Sequence, residues 1–349
     1  MLTIKDSALN GKAEYFSQFG KIESKGEYVN NQKDGVWNYF YDDQDGVKWK
    51  DISYGKGALN GPYSNWYPNG KLSIKGQHLD GYKTGEWFWY TSAGRVYMKG
   101  EFVKDIQNGH WIYYFDNGQV ESEGDFANNL RQGEWKMFYK NGAKWKIGAY
   151  HDDLKDGHWQ YFFETGRMLQ EGEFKNGKEE GIWMSWYENG QMKDRGTFSA
   201  GLMDGMWEGW YDNGKLNYAG VRQTGKRQGS WKFGYRNGNT REEGTYKDDQ
   251  REGTWKFYFE TGNIDYECAF SQGSKNGKCT YYYSHGPKMR QETYKMNRLE
   301  GKSTMWGPQE NVLSIRHYQN GLPNGKMIDY DEKGNVISEG EFRNGQKVK

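Results

Sequence analysis

The sequence predicts an all-β protein, an antiparallel meander of about 14 hairpin repeats and about 28 strands. Three observations carry this expectation. A glycine recurs every 24 residues over most of the chain, aromatic residues keep fixed places between those glycines, and one position of each unit holds only Gly, Asn or Asp. A period of this kind is the mark of a repeat architecture in which each unit packs on its neighbours.

We count the leading glycine of each unit as position zero. The series runs Gly61, Gly85, Gly109, Gly133, Gly157, Gly181, Gly205, Gly229, Gly253, Gly277, Gly301 and Gly325, always 24 residues apart. Gly11 and Gly35 precede it, and Gly35 lies 26 residues before Gly61. The two extra residues belong to the segment Asp42-Asp43-Gln44-Asp45, a polar stretch that a hairpin turn absorbs without moving its strands. Position two holds Trp37, Trp87, Trp111, Trp135, Trp159, Trp183, Trp207, Trp231 and Trp255. Aromatic pairs such as Phe40-Tyr41, Trp66-Tyr67, Phe138-Tyr139 and Trp210-Tyr211 follow at positions five and six. A second glycine, often as Asn-Gly, stands at position nine: Gly70, Gly118, Gly142, Gly190, Gly214, Gly238.

Asn-Gly between short aromatic runs is a strong hairpin signal, so each unit reads as strand, turn, strand, turn. A third glycine at position 15, as in Gly76, Gly100, Gly124, Gly148, Gly172, Gly196, Gly220 and Gly244, falls on the second strand. A residue without a side chain there leaves room for an indole to lie flat over the backbone. Position 20 holds Gly81, Asp105, Asn129, Asp153, Gly177, Gly201, Gly225, Asp249, Gly273, Asn297, Gly321 and Gly345, residues that tolerate positive φ. A position confined to these three types predicts a left-handed turn residue. Short connections force neighbouring strands to run antiparallel.

Composition excludes other classes. Aromatics make up 17% of the chain while mean hydropathy is −1.13, so the apolar surface is mostly Trp, Tyr and Phe rather than an aliphatic core. Disordered chains are poor in aromatics, and collagen needs far more than 5 prolines. With 48 basic and 47 acidic side chains, no electrostatic case for nucleic acid arises. No segment approaches the ~18 apolar residues of a membrane span, and the opening residues lack the apolar run of a signal peptide, so a cytoplasmic location is the expectation.

The unit from Gly181 to Gly190 (Gly-Ile-Trp-Met-Ser-Trp-Tyr-Glu-Asn-Gly), continued by Gly196, Phe198 and Gly201, resembles a MORN repeat, and more closely the bacterial variant found in YwqK-type antitoxins. The resemblance runs from about Gly11 to Gly345. It implies an elongated, single-layer, twisted antiparallel sheet. It also implies a non-catalytic protein-binding module, in one form an antitoxin or immunity protein that covers a toxin. The alternative it implies is a structural or membrane-associated scaffold, self-associating through unpaired edge strands.

In this reading residues 1–10 are a lead-in strand, and 11–349 form one array, regular over 11–267 and degenerate over 268–349. In the degenerate part the Trp position becomes Cys279, Ser303 and Met327, and the third glycine becomes Cys268, Glu292 and Arg316. Glu310 replaces a turn glycine. We therefore place the candidate partner surface there, on Arg290, Glu310, Arg316 and His317. The partner expected is a protein, either a toxin or an assembly component. A peripheral membrane lipid and a second copy of the chain are the other classes.

Nothing in the sequence predicts catalysis, a metal or a cofactor. No nucleophile elbow, phosphate loop or zinc-protease motif is present. His151 and His158 bracket an acidic run that reads as a polar turn, and charged residues over the turns read as a solvated surface. Cys268 and Cys279 are the only cysteines; their midpoint falls in the Gly273 turn, so hairpin pairing sets them face to face. A disulfide needs an oxidising compartment, and two reduced thiols are the expectation.

Overall fold

A computed structural model describes residues 3–5, 8–44 and 46–348. Among them lie 32 strands, and successive long strands pair antiparallel, as Ile106–Tyr114 with Val120–Ala127 and Leu202–Trp210 with Leu216–Gln223. The count exceeds 28 because short strands stand at the two ends and two strands of the degenerate region are interrupted, as Arg298–Leu299 before Gly301–Trp306 and Leu322–Pro323 before Gly325–Tyr330. In the lead-in, Thr3–Lys5 pairs with Ala8–Phe16, while Met1, Leu2, Asp6 and Ser7 lie outside the described residues.

The chain forms two compact units, Met1–Leu169 with Glu173–Lys178, and Gln170–Gly172 with Glu179–Lys349. In the first, buried Trp87, Phe102 and Trp111 form a cluster flanked by Tyr63, Trp89, Tyr113 and Phe126. In the second, Trp231, Tyr246, Trp255, Phe270 and the two cysteines form another.

The repeat from Gly109 shows why the period is 24. The strand Ile106–Tyr114 crosses its partner Val96–Val103 with a register shift between Asn108 and Ile112. Gly109 lies in that shift at φ +65°. A left-handed glycine at a bulge bends the strand, and this one re-aims Trp111 over the preceding strand. The indole lies flat on Gly100, where an added Cβ would come within 2.1 Å of the ring. The third glycine is therefore required by contact, as its placement predicts. The Trp111 Nε1–H then donates to the Glu101 carbonyl at 3.2 Å, and Trp37, Trp135, Trp159, Trp207, Trp231 and Trp255 repeat this bond. Trp87 is the exception, with its Nε1 buried and unbonded. Phe102 and Phe126 meet Trp111 edge-on at 5.3 and 5.8 Å, the preferred aromatic geometry.

The two turns differ. In the Asn-Gly turn, Phe115 donates to Gln119 and Gly118 donates back to Phe115, and Gly118 alone takes a positive φ. This is the wider hairpin loop, a type I turn closed by a left-handed glycine. Asn117 serves another purpose. Its Oδ1 accepts from Gln119 N, and its Nδ2 donates to Lys140 O in the next repeat. The other turn is a two-residue loop with positive φ at both places, as in Asn128 and Asn129. Position 20 is left-handed as expected, but so is position 19, where Lys104, Ala200, Thr224, Gln272 and Met296 hide the requirement. An Asn or Asp at position 20 adds a bond: Asp153 Oδ1 accepts from the Arg131 backbone and guanidinium, which holds its carboxyl below the usual range.

The insertion falls in a turn, between the strands Gln32–Phe40 and Lys48–Gly55, and the register Trp37↔Ile52 continues across it. Asp45 of that segment lies outside the described residues. The charged residues differ from expectation. In several repeats the basic residue two before the leading glycine does not simply face solvent. Lys33, Lys83, Lys155 and Arg251 reach over Trp37, Trp87, Trp159 and Trp255 at 4.2–5.0 Å from a ring. Long cationic side chains cover apolar surface while their heads stay wet.

The cysteines also depart from expectation. Cys268 pairs in register with Cys279, both are fully buried, and the two sulfurs form a disulfide. They replace a Gly–Trp contact with a covalent one.

Candidate functional site

Strand alternation gives the repeats two faces. One carries the indoles and their covers. The other is lined by the residues at positions one and 16, which pair across each hairpin. In three repeats of the first unit, those of Gly85, Gly109 and Gly157, this second face carries ionisable pairs. Glu86 opposes Glu101, His110 Nδ1 meets Asp125 Oδ1 at 2.8 Å, and His158 Nδ1 meets Glu173 Oε1 at 3.1 Å. Among the described residues no group of three or more His, Cys, Asp or Glu is placed to hold a metal ion. His151 approaches only Asp152, at 3.8 Å.

In the second unit the same row turns apolar. Ile182 opposes Thr197 and Met206 opposes Val221, on four consecutive strands from Lys178–Trp186 to Leu216–Gln223. Ile182, Met206 and Val221 are 51%, 49% and 41% exposed. Further along, Ser230 opposes Thr245 and Lys278 opposes Thr293, so the row becomes polar again. An apolar strip rimmed by polar residues is the form an interaction surface takes. At ~4.8 Å between strands the strip spans about 14 Å.

The four residues proposed from sequence do not share one face. Arg290 and Arg316 lie on the indole side. Arg290 stacks on Tyr281 at 4.5 Å and approaches the buried Glu292 carboxylate at 3.3 Å. Arg316, opposite Ser303, donates to Asp329 at 3.2 Å, and this bond pushes its guanidinium pKa up. His317 lies on the other face, where its Nδ1–H donates to the Lys326 carbonyl at 2.8 Å. Glu310 is a turn residue at φ +64°, where the repeat has glycine. In this region Glu292 occupies the third-glycine place and accepts from the Tyr294 hydroxyl at 2.7 Å; burial, then this carboxylate, pushes the phenol upward. The repeat tryptophans and leading glycines, by contrast, stand where the period places them.

Sequence reasoning missed the apolar strip. Its signal was present: position one reads Glu86, His110, Glu134 and His158, then Ile182 and Met206.

Comparison with known proteins gives one family. The model of the MORN repeat variant matches residues 9–30, 59–80, 107–128, 131–152, 155–176, 179–200, 227–248, 251–272 and 323–344, more than half of the chain. No curated protein matches it. Solved structures similar to it include a TcdB2-TccC3-Cdc42 complex, at 10% identity and TM-score 0.18 over 98% of this chain and 23% of that one. Another is the Photorhabdus luminescens Tc holotoxin pore, at 11% identity and TM-score 0.17 over 98% and 22%. The chain thus spans about a quarter of those proteins' length, and likenesses of such low TM-score carry no argument.

Proposed function

The chain belongs to the MORN repeat variant family, and from that premise we propose that it is a module that binds another protein through the second unit's face opposite the indoles. The exposed strip of Ile182, Met206 and Val221 carries this reading. Repeat packing does not need it, because the Gly85, Gly109 and Gly157 repeats fill the same places with ionisable residues. The partner is a protein whose own apolar centre covers the strip, with polar contacts at the rim. In its finer form the module is an antitoxin that occludes a toxin, the role implied by the YwqK-like character of the units.

The test is affinity capture with the full chain and with Ile182→Lys/Met206→Glu, both checked for unchanged melting. A protein partner held by the parent chain should be lost by the double variant. Capture that is indifferent to these changes sinks the placement. A parallel variant, Glu310→Lys/Arg316→Glu, should leave capture intact; if it alone abolishes binding, the surface lies in the degenerate region instead. The antitoxin form predicts that the captured protein is toxic when expressed alone and harmless with this chain.

A further inference from the structure

Two consecutive repeats of the second unit have lost both covers of their indoles. In several repeats a basic residue stands two before the leading glycine and an aromatic at position four, as in Lys33 with Tyr39, Lys155 with Tyr161, Arg227 with Phe233 and Arg251 with Phe257. In the Gly181 repeat these places hold Glu179 and Ser185; in the Gly205 repeat they hold Met203 and Gly209. The result is a cavity of about 230 Å³ on the indole face, lined by the apolar Trp183, Met184, Phe198, Met203, Trp207 and Tyr218 and by the polar Gln170, Ser185 and Asp194. Trp183 and Trp207 are the two most open tryptophans of the ladder, at 4% and 7%. Phe198 stands edge-on to both, at 6.0 and 5.2 Å.

The single charge in this lining is Asp194. Ser185, Asp194, Gly209 and Tyr218 form one row across four adjacent strands. Gly209 lets the Tyr218 ring lie down over the backbone, where an added Cβ would come within 2.3 Å of it. From there the Tyr218 hydroxyl donates to Asp194 Oδ1, and the Ser185 hydroxyl donates to Oδ2 at 3.1 Å. Among the described residues no basic side chain forms an ion pair with Asp194. Both carboxylate oxygens thus already hold a donor, while the charge itself has no counter-ion.

We propose that this cavity binds a quaternary ammonium group. Repeats such as those of Gly157 and Gly253 supply their own cation to the indole, and here the place is taken by Met203, so the face is left for a cation from outside. Ring faces attract a cation through their quadrupole, and most strongly one that sheds its water easily. Asp194 adds the counter-charge without demanding N–H donors, since its oxygens already accept from Ser185 and Tyr218. A primary ammonium or guanidinium would bring more hydrogen-bond donors than this mainly apolar lining, with Gln170 and Asp194 as its acceptors, can satisfy. A methylated ammonium brings none. The site is on the face opposite the docking strip and stands independently of it.

The experiment is calorimetric titration of the full chain with choline, and with 3,3-dimethylbutan-1-ol as the neutral isostere. Co-sedimentation with phosphatidylcholine vesicles reads the same group on a lipid. We expect choline or the vesicles to bind, with choline at least tenfold preferred over the neutral alcohol. Asp194→Asn should weaken binding several-fold. Met203→Lys restores the basic residue of the regular repeat and should fold as well as the parent while abolishing binding. Equal binding of choline and its neutral isostere, binding unchanged in Met203→Lys, or no binding to either probe overturns the proposal. Since Met203→Lys tests the site by adding a regular feature, loss of binding with unchanged melting separates it from loss of fold.

Discussion

The Gly157 and Gly205 repeats place the same tryptophan on the same glycine, yet one is covered by side chains and the other borders a cavity. Trp159 lies on Gly148, bonds the Ala149 carbonyl, and is covered by Lys155 at 4.6 Å and by Tyr161 at 6.1 Å. Trp207 lies on Gly196 and bonds the Thr197 carbonyl, but Met203 and Gly209 stand where its covers would be. The backbone is therefore indifferent to the covers. Glycine spacing and turn geometry set the ladder, and two side-chain positions decide whether the face above it is protein or cavity.

Removing the indole breaks the comparison hardest. Trp159→Ala should cost about 3–5 kcal/mol, the range for a buried large aromatic. Trp207→Ala should cost less, because its ring already borders a cavity and so makes fewer packing contacts. Urea unfolding midpoints of the two variants test this, and equal losses would show that the covers add nothing. In the Cys268–Cys279 repeat the Gly–Trp contact is replaced by a disulfide closing a short loop, worth about 3 kcal/mol. Reducing the chain, or Cys268→Ser/Cys279→Ser, should lower stability by that order, read by the same unfolding with and without reductant. A smaller effect is expected from Lys155→Met, which copies the open repeat into the sealed one. It removes the ring contact and a 2.7 Å bond to the Tyr161 hydroxyl, at about 1 kcal/mol.

The smallest expected effect is a pH dependence. His78 replaces the usual Phe or Tyr at position 17 and meets Trp87 edge-on at 5.1 Å. Burial lowers its pKa, opposed by Asp105 and assisted by Lys83. A histidine whose folded pKa is depressed contributes stability that is fully present above its unfolded pKa near 6.5 and is lost as pH falls through the folded value. Stability should therefore decline from pH 7 toward pH 5, and His78→Phe should flatten that part of the profile. An unchanged slope in the variant would assign the pH dependence elsewhere.

The hairpins were legible because each rests on a local demand. Position 20 must take positive φ, so Asp105 and Asn129 announce it, and the third glycine must admit an indole, so Gly100 and Gly124 announce that. Position 19 was not legible, because Lys104 and Met296 pay the strain of positive φ without being residues that signal it. The cysteine pairing was readable as a register, Cys268 opposite Cys279, but not as a bond, since spacing places the sulfurs together and leaves their oxidation state open.

By itself the sequence determined the period, the antiparallel pairing and the ladder of tryptophans on glycines, because these follow from backbone sterics that act within one or two strands. Only the tertiary structure decided what lies above the ladder and on its opposite face. Lys155 and Met203 differ as letters, but that one seals an indole and the other opens a cavity beside Asp194 depends on side chains brought together from four strands. The apolar strip of Ile182, Met206 and Val221 has the same origin: residues 24 and 15 apart become neighbours only when hairpins stack.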